Sequence, residues 1–193
     1  MIEEVLAAIH AGRPAIVPTD TVYGLAADAA NRGAVEGLYA LKGREERKPT
    51  ALVAADVEAL YAAIPELDER VARALLPGPY TLVLPNPAGR FPWLAGGRPE
   101  TIGVRVPAVS GAAAEFLRRA GPIAATSANR PGEPDPRSVD DIPEELREAC
   151  AVLDVGPLRG TPSTVLDLTG PEPIVVREGA VPAAEALAQL PRL

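Results

Sequence analysis

Short apolar runs, each closed by proline or glycine, limit what this chain can fold into. "AIVP" at 15–18, "YTLVLP" at 80–85, "TIGVRVP" at 101–107 and "PIAATSA" at 122–128 carry strand-grade residues for a few positions and then stop. "AVLDVG", "STVLDL" and "PIVVREG" repeat the pattern nearer the C-terminus, and residues 51–55 form another short run. Pro85, Pro107 and Pro173 stand beside such runs, where a missing N–H costs a strand ladder least. Between the runs lie helical spacings. Ile2, Val5, Leu6 and Ile9 recur at helical intervals, and Gly12 and Pro14 follow as stop signals. Asn31 is a candidate N-cap for a helix over 31–41, and Asp56 for "VEALYAAI". Further helices are predicted over 67–76 up to "PGP", from Ser110 through Arg119 to a stop at Gly121, over the acidic segment 138–149, and over 182–190. Helices and strands alternate in the first half and strands dominate the second. That order predicts an α/β fold with a mixed sheet.

The 193 residues fit one domain, 1–193, with no low-complexity linker to divide it. The net charge of −7 argues against a protein whose main task is to grip nucleic acid. Cys150 is the single cysteine, so an internal disulfide is excluded and a reducing, cytoplasmic compartment is expected. The acidic, amphipathic start lacks the basic and long apolar regions of a signal peptide. No apolar stretch reaches the roughly 20 residues that span a bilayer, so no membrane role is expected.

Polar residues gather at the ends of the predicted strands, where open α/β sheets bind ligands. Thr19, Asp20 and Thr21 follow the first strand, and Lys42, Arg44, Arg47 and Lys48 follow the second helix. Thr101 and Arg105 lie on "TIGVRVP"; Thr126, Ser127 and Asn129 close "PIAATSA"; Ser163, Thr164 and Arg177 mark the last two strands. Hydroxyls with Lys and Arg suit a polar, anionic small molecule such as a nucleoside triphosphate. Taken singly, each has an ordinary structural reading. "PTDT" is a capped turn, 42–48 a solvated face, Arg105 a residue facing water, and Asn129 a turn closer. Their joint occurrence favours a site. The long loop 86–100, rich in Gly and Pro, holds the only tryptophan. There is no GxxxxGK[ST] and no GxGxxG. His10 is the sole histidine, which disfavours a serine triad or a histidine-based zinc site, and Cys150 reads as a small helix residue.

The segments "PTDTVYGLAADA", "LKGREERKPTALV", "LPGPYTLVLP", "TIGVRVPA", "ATSANRPGEPD", "PSTVLDL" and "VVREGA" occur in one order and spacing. In this the chain resembles the YrdC-like family of L-threonylcarbamoyladenylate synthases over roughly residues 3–180. The resemblance implies a twisted, open mixed sheet with flanking helices around a concave, basic cavity, in the short single-domain form. It implies an enzyme, a nucleotidyltransferase that joins L-threonine, bicarbonate and ATP into threonylcarbamoyl-AMP with release of pyrophosphate. It implies Mg2+ carried by the ATP phosphates, no organic cofactor, and a downstream threonylcarbamoyl-transferase complex acting on the tRNA adenosine beside the anticodon.

By motif position, Thr21, Arg105, backbone at Ala125, and Ser163 would meet threonine. Lys42, Arg44, Lys48, Thr101, Ser127, Asn129, Asp135 and Arg177 would serve ATP, with Lys42, Arg44 and Lys48 neutralising phosphate charge. Three positions depart from the family pattern. Pro131 stands where members often have Ser, Asp135 where a small hydroxyl residue can contact nucleotide, and Val53 where some members carry His. Two other readings belong to the same resemblance. One is an RNA-binding module, which the net charge weighs against. The other is a carbamoyl-handling maturation domain, usually found within longer chains with zinc-finger cysteines.

Overall fold

The computed structural model describes residues 1–43 and 48–191. Helix α1 (Ile2–His10) turns Val5, Leu6, Ala8 and Ile9 inward, the stripe that its 3.6-residue spacing dictates. The chain reverses at Gly12, whose φ of 72° suits glycine, and enters β1 (Ala15–Pro18). The next segment forms a strand absent from the sequence-based expectation, β2 (Tyr23–Asp28), antiparallel to β1. Residues 23–27 are all buried, so the segment shows no alternation of apolar and polar residues to reveal it.

The predicted caps are partly realised. In α2 (Arg32–Lys42) the Asn31 side chain accepts from Ala34 N at 3.2 Å, and in α3 (Val57–Ala63) Asp56 accepts from Ala59 N at 2.7 Å. Between them β3 spans only Ala51–Val53. The third predicted helix is shorter than expected, α4 (Glu69–Leu75), because Asp68 caps it from inside the predicted range. Next come β4 (Tyr80–Pro85), β5 (Thr101–Arg105), α5 (Gly111–Ala120) and β6 (Ile123–Ser127). Ser110 precedes α5 without a side-chain cap bond.

The acidic segment does not form one helix. Ser138 and Asp141 close a capping box around a 3-10 turn (Val139–Asp141), and α6 (Glu144–Ala149) starts afresh behind Pro143. Proline supplies no N–H to continue the first turn. Strands β7 (Ala151–Val152), β8 (Thr164–Asp167) and β9 (Ile174–Arg177) and helix α7 (Ala183–Ala188) complete the described elements.

The described strands form one open sheet in the order β7-β1-β2-β6-β3-β5-β4-β8-β9. The pairs β1/β7, β3/β5 and β4/β8 are parallel and the rest antiparallel, so the sheet is mixed. Its two faces differ because side chains alternate along a strand. On one face Leu52, Leu82, Leu84, Ile102, Val104 and Leu166 join a large core with Leu38 of α2, Leu60 of α3 and Leu75 of α4. On the other, α1 and α5 press Val5, Ile9, Phe116 and Leu117 onto Ala15, Val17, Ala26 and Ile123. Those two helices cover only part of that face, and the remainder is open.

Candidate functional site

The uncovered part of the sheet is a cavity of about 480 Å³. Its floor is every second residue of the central strands: Thr101, Gly103 and Arg105 of β5, Ala51 and Val53 of β3, and Thr81 and Val83 of β4. Ala125 and Ser127 of β6, Val165 and Asp167 of β8, and Gly24 of β2 extend it. Each intervening Leu, Ile or Val faces the opposite core. Apart from Arg105 and Asp167 the floor is Gly, Ala, Ser, Thr and Val, and these short side chains leave space there. A Cβ on Gly103 would reach only ordinary contact with Ala51, so its absence leaves room above the sheet.

Arg105 is the most constrained side chain of the site. It is 8% exposed. Its Nη2 donates to Asp20 Oδ1 at 2.5 Å and to Thr21 Oγ1 at 2.6 Å, with Thr19 Oγ1 at 3.4 Å. Its Nε is buried with no hydrogen-bond partner. Burial pushes the guanidinium pKa down, Asp20 opposes that shift, and the charge on Arg177 adds to it. A buried donor without an acceptor costs about 1–3 kcal/mol, and Nε is such a donor on a residue that lines the cavity. Thr50 presents a second case: 2% exposed, it lines the cavity with its Oγ1 unpartnered.

The other expected residues fall into three groups. Arg105, Ala125, Ser163, Thr101, Ser127, Asp135 and Arg177 all line the cavity. Ser163 Oγ lies 2.9 Å from Thr81 Oγ1, and Arg177 donates to the Ser163 carbonyl at 2.8 Å and to its hydroxyl at 3.2 Å. A second group stands behind the wall. Thr21 is fully buried and meets Arg105 and Thr19, while Thr19 is the hydroxyl that lines the cavity.

Lys42 is 3% exposed and donates to the Ser127 carbonyl, to Ser127 Oγ at 3.3 Å and to Asn129 Oδ1 at 3.0 Å. Asn129 in turn donates to Glu133 O at 2.7 Å and to Asp135 Oδ1 at 3.3 Å. Lys42 and Asn129 thus shape the loop after β6. The third is Lys48, exposed and outside the lining, with its neighbours Pro49 and Thr50 in the wall; Arg44 lies outside the described residues and is not placed.

Arg98 and Asp167, absent from the sequence-based candidates, also line the cavity and pair at 2.5 Å. Burial tends to raise the Asp167 pKa, but the Thr169 hydroxyl and Arg98 outweigh it and hold the carboxyl below its usual value. Among the described lining residues, Arg98, Arg105 and Arg177 face Asp135 and Asp167. That is three positive charges against two negative, so the described lining residues carry a small positive excess, and the basic cavity that the resemblance implies is not shown by them alone. Cys150 is outside the lining, and burial raises its thiol pKa to about 11, which leaves little thiolate for nucleophilic work.

A sheet whose open face gathers hydroxyls and a buried arginine has the lining that suits a polar, anionic small molecule. The sequence model of the Sua5/YciO/YrdC family, described as telomere recombination, matches residues 7–179, and the chain belongs to that family. A threonylcarbamoyl-AMP synthase of Chromohalobacter salexigens is 37% identical over 180 residues, covering 89% of this chain and 94% of its own. The threonylcarbamoyl-AMP synthase of Pyrococcus abyssi is 38% identical over 183 residues, covering 92% of this chain and 53% of its own. The crystal structure of P. abyssi Sua5 complexed with L-threonine superposes with a TM-score of 0.85 at 33% identity, covering 98% of this chain and 58% of that one. The chain therefore spans little more than half of the P. abyssi protein and nearly all of the shorter relative. Among the described residues, no helix is long and apolar enough to cross a membrane.

Proposed function

We propose that this chain is a threonylcarbamoyl-AMP synthase, a nucleotidyltransferase that makes L-threonylcarbamoyladenylate and pyrophosphate from L-threonine, bicarbonate and ATP. The observation that carries the reading is Arg105, a cavity-lining guanidinium held by Asp20 and Thr21 among hydroxyl-bearing walls. The synthase names of its relatives and the L-threonine complex of P. abyssi Sua5 support it.

In this reading the Arg105 fork takes the threonine carboxylate. Thr19, the backbone at Ala125, and Ser163 surround the rest of the amino acid, and Thr21 acts from behind by holding Arg105. The amine attacks bicarbonate-derived carbon to give a carbamate and water. A carbamate oxygen then attacks the α-phosphorus of ATP, and the bond to pyrophosphate breaks. Such a transfer needs positioning and charge stabilisation more than a proton-moving side chain. Arg177, Thr101 and Ser127, which line the cavity, are assigned to the nucleotide from the family motifs. Lys42 and Asn129 hold the Ser127 loop, and Arg44 and Lys48 are assigned to the phosphates from the family motif. Mg2+ enters with ATP on its phosphate oxygens. The labile product would pass to a threonylcarbamoyl-transferase complex in the cytoplasm, with direct contact to tRNA a secondary feature.

The test is mass spectrometry of a reaction containing carbon-13 bicarbonate, ATP and Mg2+. The reading expects a labelled threonylcarbamoyl adenylate only when L-threonine is present. Tight RNA binding without that product would favour the RNA-binding alternative.

A further inference from the structure

We propose that Asp20 is a positioning residue for the amino-acid end of the cavity, acting through Arg105. It is not itself among the cavity-lining residues. Its carboxylate is used on both sides: Oδ1 takes Arg105 Nη2 at 2.5 Å, and Oδ2 accepts the Ala108 backbone N–H at 3.0 Å. Asp20 therefore ties the turn after β1 to the segment after β5, and the guanidinium is held between them. Both side chains of the pair are about nine-tenths shielded, at 10% and 9% exposure.

All the described side-chain hydrogen bonds of Arg105 fall on Nη2, with Asp20, Thr19 and Thr21 as acceptors. That single anchored nitrogen fixes the plane of the fork and leaves Nε unpartnered. Without the carboxylate, two hydroxyls remain, and these can rotate and also hydrogen-bond each other at 3.0 Å. A neutral anchor would let the guanidinium turn so that its unpaired N–H finds a protein acceptor. The fork would then no longer be presented to a ligand carboxylate. Asp20 also offsets the burial that disfavours the arginine charge.

This proposal rests on the synthase reading for the identity of the ligand. The test compares wild type, Asp20→Asn, Asp20→Glu, Arg105→Ala and the Asp20→Asn/Arg105→Ala double variant in two assays. One is steady-state pyrophosphate release, and the other is calorimetric binding of L-threonine.

Asp20→Asn is expected to raise the threonine KM and Kd about tenfold or more, the size of a lost charge-assisted hydrogen bond. The ATP KM should stay within about twofold, and Asp20→Glu should restore part of the threonine affinity. In the Arg105→Ala background, Asp20→Asn should change threonine affinity little, because the residue it positions is gone. Equal losses for threonine and ATP, an unchanged threonine affinity in Asp20→Asn, or an additive double variant would overturn the proposal. If wild type binds threonine but shows no turnover, the synthase reading fails while calorimetry still judges Asp20. If wild type does not bind threonine, both fail.

Discussion

Asp20 Oδ1 and Arg105 Nη2 meet at 2.5 Å across 85 residues of chain, joining the turn after β1 to the last residue of β5. Removing the arginine leaves a shielded carboxylate with one backbone donor. Arg105→Ala is expected to raise the threonine KM by about two orders of magnitude, the effect of breaking a buried charge pair (~3 kcal/mol). The ATP KM should stay nearly unchanged. Steady-state kinetics with each substrate varied in turn checks this, and matched losses in both would remove Arg105 from the carboxylate.

Thr50 offers a test in the free protein. Its hydroxyl is buried without a partner, so Thr50→Val exchanges an unsatisfied polar group for a methyl of similar shape. The variant is expected to stabilise the ligand-free protein by about 1 kcal/mol. Thermal melts without ligand measure it. A lower Tm would mean the hydroxyl is already satisfied.

Alkaline stability should depend on Tyr23. Its one hydroxyl proton is shared between Asp154 Oδ1 at 3.0 Å and Gly156 O at 2.8 Å, and its oxygen accepts from Val155 N at 3.0 Å. Burial foremost, with Asp154 adding to it, pushes the phenol pKa up to about 12. The folded value lies above the unfolded one of about 10, so the neutral phenol's contribution is complete below pH ~10 and lost as pH rises toward about 12. Tyr23→Phe should flatten the fall in stability between those values. It should also cost about 1–3 kcal/mol at neutral pH by stranding the groups its hydroxyl serves. Denaturant melts from pH 8 to 12, a window set by those values, report both effects, and identical slopes for the two proteins would contradict the assignment.

Gly179 lies so close to the chain before β8 that a Cβ would come within 2.6 Å of the Ser163 carbonyl oxygen. The same carbonyl is the acceptor for Arg177. Gly179→Ala is therefore expected to destabilise by ~1–3 kcal/mol, as overpacking does, and to raise the ATP KM by displacing Arg177. Melts and ATP titrations together check this, and a neutral substitution would show that the segment yields freely.

Most elements were legible because their apolar spacing and caps agreed, as with Asn31 and Asp56. The cavity floor was half legible. Thr101, Gly103 and Arg105 alternate with Ile102 and Val104, and that period of two placed the arginine on the open face. Strand β2 stayed hidden because burial on both faces erased the alternation. The family motif pointed to Thr21, yet Thr19 is the one that lines the cavity, since the turn after Pro18 decides which hydroxyl looks outward. Arg98 and Asp167 were invisible as a pair, because 69 residues separate them and only the β4/β8 pairing brings β8 beside the long loop. The departures at Pro131 and Val53 differ in consequence: Val53 lines the cavity, whereas Pro131 is exposed.

The most direct measurement of the central claim is pyrophosphate release by the wild-type chain with ATP, Mg2+ and bicarbonate, with and without L-threonine. The account predicts release that depends on threonine and saturates with it. Release indifferent to threonine, or none at all, would contradict it.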